Sequence, residues 1–149
     1  MANSIFTDVS DERFVYLNRM LDDEYFRQFG EVALRYKKIN QIGDALAVLL
    51  LTEQEELAGG GCIRFFDENT AEVKRVWVPE PFRRHGYGRR IVTELEQKAK
   101  ELGYTYMVLE TSHMMPWATS LYESLGYSYI PNYGFYENDD LCVCMKKAL

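Results

Sequence analysis

Residues 83–88 read Arg-Arg-His-Gly-Tyr-Gly, two cations, an imidazole and two glycines in six consecutive positions. A strand-like apolar run ends just before them, and a helical stripe of Ile91, Leu95, Ala99 and Leu102 follows. At such an entrance the first amides of the helix lack internal acceptors and carry a partial positive charge. Gly86 and Gly88 let the backbone come close to a ligand, and arginines add charge-assisted hydrogen bonds. The combination suits a phosphate or pyrophosphate. A basic surface turn punctuated by glycine is the other reading, and these residues alone leave both open. No Gly-Lys-Ser/Thr follows, which excludes the phosphate loop of nucleotide triphosphatases. Ile91 stands where a dinucleotide fingerprint requires its third glycine.

The elements around this stretch must position it. A short first strand is expected within 4–10, and a helical pattern runs from Asp11 to about Lys38. Phe14, Leu17 and Leu21 recur at helical spacing, as do Tyr25, Phe29 and Val32. Asp22, Asp23 and Glu24 read as the start of a second helix, with Gly30 interrupting it. The period then changes. Residues 44–51, 58–66 and 70–78 read as three strands of an antiparallel meander, separated by polar turns. Helix 88–102 closes on Gly103, residues 104–111 form a fourth buried strand, and Pro116 opens a helix that ends before Gly126. Two short strands, 127–130 and 141–147, complete the chain. The strand–helix–strand unit over 72–110 predicts a parallel pair, with a ligand at the carboxyl end of its first strand.

At 149 residues one domain over 1–149 is expected. The class is mixed α/β (α+β). Hydrophobic residues make up 47% and charged residues 27%, which fits a folded domain rather than a disordered one. No apolar run approaches the ~20 residues of a bilayer span, and no basic segment precedes an apolar core near Met1. A cytoplasmic protein without membrane contact is the expectation. Cys62, Cys142 and Cys144 read as reduced buried thiols, and His85 and His113 are too few to complete a zinc site, so no metal is expected. The net charge of −6 argues against nucleic acid as a partner. Within it, residues 74–90 carry Lys74, Arg75, Arg83, Arg84, Arg89 and Arg90 against Glu80 alone, a local draw for an anion.

Arg83-x-x-Gly86-x-Gly88, preceded by Val-Lys-Arg-Val-Trp-Val-Pro-Glu-Pro-Phe, resembles the acyl-CoA-binding motif of the GNAT superfamily of N-acetyltransferases. Residues 118–127, Ala-Thr-Ser-Leu-Tyr-Glu-Ser-Leu-Gly-Tyr, resemble the later helix of the same family, and the order of elements fits across roughly 42–147. The resemblance implies the GNAT-type fold, a central mixed twisted sheet of six to seven strands flanked by helices. It implies acetyl-CoA as cosubstrate and direct transfer of the acetyl group to an amine in a ternary complex. One position departs: Met115 stands where the family often has asparagine, which removes one polar contact to the cofactor arm.

The resemblance also implies roles. Arg83, Arg84, His85, Gly86, Tyr87, Gly88 and Arg89 would form the pyrophosphate cradle, His85 through its amide. Main-chain N–H groups of Val76, Trp77 and Val78 would polarise the thioester carbonyl. Glu72, eleven residues before Arg83, matches the glutamate base of the histone-acetylating branch. On a regular strand it would share a face with Lys74, Val76 and Val78. The alternative for Glu72 is a carboxylate paired with Lys74 or a neighbouring strand. Tyr122 matches the family's general acid, its alternative being a tyrosine packed on the sheet. Glu110, Tyr133 and Tyr136 are weaker candidates for the acceptor pocket. The expected acceptor is a small primary amine, a polyamine, an amino acid or an aminoglycoside-like compound, with peptide or protein lysine or an N-terminus as alternatives. A non-catalytic acyl-CoA sensor on the same fold is the rival of another class. Homodimers are common among similar proteins, and the sequence itself leaves the assembly open between monomer and homodimer.

Overall fold

A computed structural model describes residues 2–149. Seven strands form one sheet in the order β1-β2-β3-β4-β5-β7-β6. They are β1 (Asn3–Thr7), β2 (Ala47–Glu53), β3 (Glu56–Asp67), β4 (Thr70–Trp77), β5 (Tyr106–Ser112), β6 (Ser128–Ile130) and β7 (Cys142–Ala148). Only β4 and β5 pair in parallel; the other neighbours are antiparallel. The helices are α1 (Glu12–Phe29), α2 (Lys37–Asn40), α3 (Tyr87–Glu101) and α4 (Pro116–Ser124). This is the mixed sheet flanked by helices that the resemblance implies.

Residues 12–29 form one continuous helix, not two. Asp11 caps it by accepting from the Arg13 amide, and Gly30, at φ 60°, ends it. The acidic trio at 22–24 does not start a helix because its charges are satisfied in place: Asp22 pairs with Arg75 of β4, and Glu24 with Arg27 one turn along. A 3-10 stretch, Gly30–Tyr36, then leads into α2.

Two clusters sandwich the sheet. Ile91, Val92, Leu95 and Ala99 of α3 and Ala118 and Tyr122 of α4 pack on one face with Leu49, Ala71 and Val73. Phe14 and Leu17 of α1 pack on the other with Val48, Leu50 and Cys62. Towards its carboxyl end α1 crosses to the first cluster through Tyr25 and Phe29. The β2–β3 hairpin turns on Gln54 and Glu55, at φ 51° and 68°, without glycine or asparagine.

Strand β3 needs its glycines for close approach. A Cβ on Gly60 would lie 2.6 Å from the Leu49 carbonyl oxygen. Backbone cannot yield as a side-chain tip does, so Gly60→Ala is expected to cost about 1–3 kcal/mol. A urea titration checks this; an unchanged midpoint would show that the sheet opens there without strain.

Candidate active site

Strand β4 creates the site by failing to stay regular. Its register with β3 shifts, with Gly60 opposite Trp77 but Cys62 opposite Lys74. The extra residue is a bulge at Arg75, which sits at φ 61°. On the other side, pairing with β5 stops at Glu72 opposite Val108. Beyond that rung the two strands part, leaving the β4 backbone from Val73 onward without a β5 partner. The bulge also overturns the single-face expectation. Glu72 and Lys74 bond to groups outside the α3 cluster, while Val76 and Val78 pack against that cluster. Period two holds only up to the extra residue.

The split opens into a groove of about 560 Å³. Val76, Trp77 and Val78 line it, followed by Arg83, Arg84, Gly86, Tyr87, Gly88 and Arg89. Trp117, Leu121 and Tyr122 of α4 form the far wall. Gly86 caps α3 at φ 77°, and a Cβ there would meet nothing within 4 Å. Gly86 thus leaves room beside the positive end of a 15-residue helix.

The cations around this end have separate duties. Arg83 donates to the Val78 carbonyl at 2.9 Å and lies over the Trp77 ring at 4.7 Å. Arg89 donates to Ser124 of α4, and Arg90 to Glu94, Ser4 and the Ala2 carbonyl. The His85 ring contacts the Phe82 carbonyl oxygen, and Tyr87 donates to Glu53. Arg84, exposed and at φ 67°, is the cation of the loop with no partner among the described residues. Lys74 and Arg75 do not belong to this surface. Lys74 is 7% exposed and bonds to Asn40 and Tyr136; Arg75 is 7% exposed and grips Asn18 and Asp22. The basic run counted in the sequence is divided between the loop and the interior.

Glu72 is placed at the closed end of the split. It is 2% exposed, and both its oxygens are engaged: Arg64 Nε donates at 2.6 Å and the Tyr133 hydroxyl at 2.7 Å. It lines a separate cavity with Arg64, Phe66 and Tyr133 instead of the groove. The pairing is with a neighbouring strand, the structural alternative weighed for this residue. Glu72→Gln is expected to lower stability by about 1–3 kcal/mol, because the partly buried Arg64 loses its counter-charge. Thermal melts and initial rates check this; turnover within about threefold of the parent is the expected companion result.

Tyr133 and Tyr136 face the same second cavity. Tyr136 is 2% exposed and accepts from Lys74, so it stands as a partition between that cavity and the groove. Neither tyrosine presents a free hydroxyl.

Glu110 occupies the mouth of the split. Half-buried on β5, it lines both the groove and a smaller cavity that opens into it. Burial pushes its carboxyl above the ordinary range; the Cys142 thiol and Lys74 pull it back, and Glu72 and Asp139 push it further up. Tyr25 of α1 lines both spaces as well, its hydroxyl raised to about 12, chiefly by burial and then by Glu110. Across the groove Tyr122 is raised further still, by burial first and then by Tyr25 and Glu110. Its ring packs edge-on against Tyr127 at 5.6 Å, and its hydroxyl bonds to no described residue. Tyr127 is itself held by Glu96, which Lys147 also grips. Met115 packs into the junction between groove and cavity, where the family often has a polar side chain.

Asn40 carries no signal of a site residue, and Tyr25 reads as core, although helices of its region often roof the acceptor site in similar proteins. Tyr25 shares the helical stripe of Phe29 and Val32, which has the spacing of ordinary core. Only the parting of β4 from β5 leaves that stripe a cavity to face. Among the described residues no group of three or more His, Cys, Asp or Glu could hold a metal ion. No helix among them is long and apolar enough to cross a membrane.

Comparison with known proteins decides the family. Residues 14–127 match the family described as Acetyltransferase (GNAT) family. The chain belongs to the GNAT acetyltransferases. It is 31% identical over 99 residues to the uncharacterized N-acetyltransferase YsnE of Bacillus subtilis, covering 65% of this chain and 66% of that protein. Among solved structures, a Klebsiella pneumoniae protein provisionally named an acyl-CoA N-acyltransferase superposes with a TM-score of 0.79 at 25% identity, covering 98% of this chain and 97% of that one. A Bacillus subtilis acetyltransferase solved in complex with CoA superposes with a TM-score of 0.70 at 17% identity over 100% of this chain and 99% of its own. For this GNAT chain the last likeness speaks to fold alone.

Proposed function

We propose that this GNAT protein is an acetyl-CoA-dependent N-acetyltransferase that delivers acetyl directly to a primary amine of a small molecule. The observation that carries the reading is the split of β4 from β5, with a free helix N-terminus at one end and Glu110 and Tyr122 facing each other across the other. The residues fit the cosubstrate. The loop amides, Gly86 and the unpaired Arg84 suit a pyrophosphate, and the unpaired β4 backbone suits an extended amide-bearing arm. Bound acetyl-CoA supplies the acetyl group and departs as a thiol.

Each remaining step belongs to the chain's own residues. The Val76–Val78 amides lie in the groove, where they can donate to the oxygen that gains charge during attack. Glu110, rather than Glu72, takes the proton of the acceptor ammonium. A carboxyl raised by its surroundings is a better match for that transfer than one locked in an ion pair. Tyr122 holds its proton through the working pH range and gives it to the sulfur as the C–S bond breaks, and the second proton of the newly acylated nitrogen restores the Tyr122 hydroxyl. Tyr25 offers a second hydroxyl beside Glu110 to orient the acceptor. Cys62, Cys142 and Cys144 are buried and their thiols are pushed up by that burial, so no acetyl-cysteine step is invoked.

Amine-dependent release of free thiol from acetyl-CoA, with N-acetyl product identified by mass spectrometry, tests the reading. One thiol per acetylated amine is the expected stoichiometry. Acetyl-CoA binding with no release for any amine class would favour the sensor instead.

A further inference from the structure

We infer that the acceptor is a monoamine with a short apolar body, an alkylamine or small arylalkylamine, seated in the cavity beside Glu110. The inference rests on the N-acetyltransferase reading and names its substrate class. The cavity holds about 80 Å³, far below the ~300–1,000 Å³ of pockets for drug-sized ligands. Its walls are mostly apolar, Phe29, Val32, Ala33, Met114, Met115 and Leu141 with the rings of Tyr25 and Tyr36, and Asn40, Thr111, Ser112 and Cys142 complete them. Glu110 is the one carboxylate among its lining residues, and it stands where the cavity meets the groove. An ammonium held there points its carbon chain away from water and its nitrogen towards the groove.

A second positive charge on the acceptor finds no counterpart. The two other acids that bear on Glu110 are already taken, Glu72 by Arg64 and the Tyr133 hydroxyl, and Asp139 by the Tyr36 hydroxyl and Arg35. Lys74, bonded to the neutral Asn40 and Tyr136, lies close enough to Glu110 to lower its affinity for protons, whereas Arg75 is neutralised by Asp22. The Lys74 charge opposes a second ammonium on the acceptor and leaves a single one neutralised by Glu110.

Burying one methylene contributes enough for about a fourfold change in kcat/KM. With acetyl-CoA saturating, initial rates of thiol release are measured for ethylamine through hexylamine, benzylamine, spermidine, an aminoglycoside and a lysine peptide. The expected result is a rise of about fourfold per carbon over the first few members, then a plateau, with spermidine no better than ethylamine. Ala33→Phe, which fills the cavity, is expected to flatten the series, with acetyl-CoA affinity as the check that the variant is folded. A flat series in the parent protein overturns the inference, as does a series that Ala33→Phe leaves steep. Faster turnover of spermidine, the aminoglycoside or the lysine peptide than of pentylamine also overturns it, while leaving the N-acetyltransferase reading standing. Acetyl-CoA binding without release for any of these amines brings both down together.

Discussion

Glu110→Gln is expected to reduce turnover by about 10²–10³-fold while leaving acetyl-CoA affinity within about twofold. Glu110 lines the small cavity proposed for the amine, whereas Gly86, proposed to hold the cosubstrate, lines the groove and not that cavity. Glutamine keeps the shape and loses only the ability to accept a proton. The fold should tolerate the change. The native carboxyl is raised above its unfolded value, so folding favours the protonated form. That contribution is fully present below the unfolded pKa near 4.5 and is lost as pH rises through the native one. At pH 8 the parent carries the cost of a half-buried charge that the variant lacks. A melting temperature at or above the parent's is therefore expected together with the lost rate. Calorimetric binding of acetyl-CoA beside steady-state kinetics checks the separation. A parallel loss of affinity and turnover would mean that Glu110 supports the groove rather than the reaction.

Tyr122→Phe is expected to lower kcat by about 10–100-fold, less than the loss at Glu110. A thiol of pKa ~8.5 leaves as its anion without help, so the proton donor accelerates a step that can proceed alone. The substitution is structurally mild. The Tyr122 hydroxyl has no partner among the described residues to strand, and its ring keeps the edge-on contact with Tyr127. Burial holds the hydroxyl well above its ordinary pKa, so Tyr122 itself should add no alkaline limb to the rate profile below about pH 10. Rates with a thioester of a more acidic thiol provide the check. The defect should shrink as the leaving group improves, and a defect that stays constant would move Tyr122 from proton donor to packing residue.

Much of this site was legible in the sequence because its signals are local. The glycines at 86 and 88 mark the entrance of α3, Gly103 its exit, and Pro116 the first turn of α4, each for a conformational reason one residue can carry. What the sequence could not show depends on distant partners. Asp22 looks like a helix start until Arg75 reaches it from another element. Arg75 gives no sign of a bulge, since nothing in an arginine codon of the chain marks φ 61°, yet that bulge reverses which face Val76 presents. Glu72 and Glu110 look alike as strand carboxylates. They differ only through what faces them, Arg64 and Tyr133 on one hand and an open junction with Tyr25 on the other.

The pH dependence of kcat/KM for acceptor amine, compared among the parent, Glu110→Gln and Glu72→Gln, tests the assignment of the base most directly. Glu110 must be ionised to take the ammonium's proton, so in the parent log kcat/KM rises with slope one below the native pKa of Glu110 and is level above it until the amine itself deprotonates, whereas a protein without the base must take the amine already neutral. Glu110→Gln should follow slope one throughout, at a lower level, while Glu72→Gln keeps the parent's bend. A bend that survives in Glu110→Gln and disappears in Glu72→Gln would contradict the account and return the proton to the carboxylate now bound by Arg64.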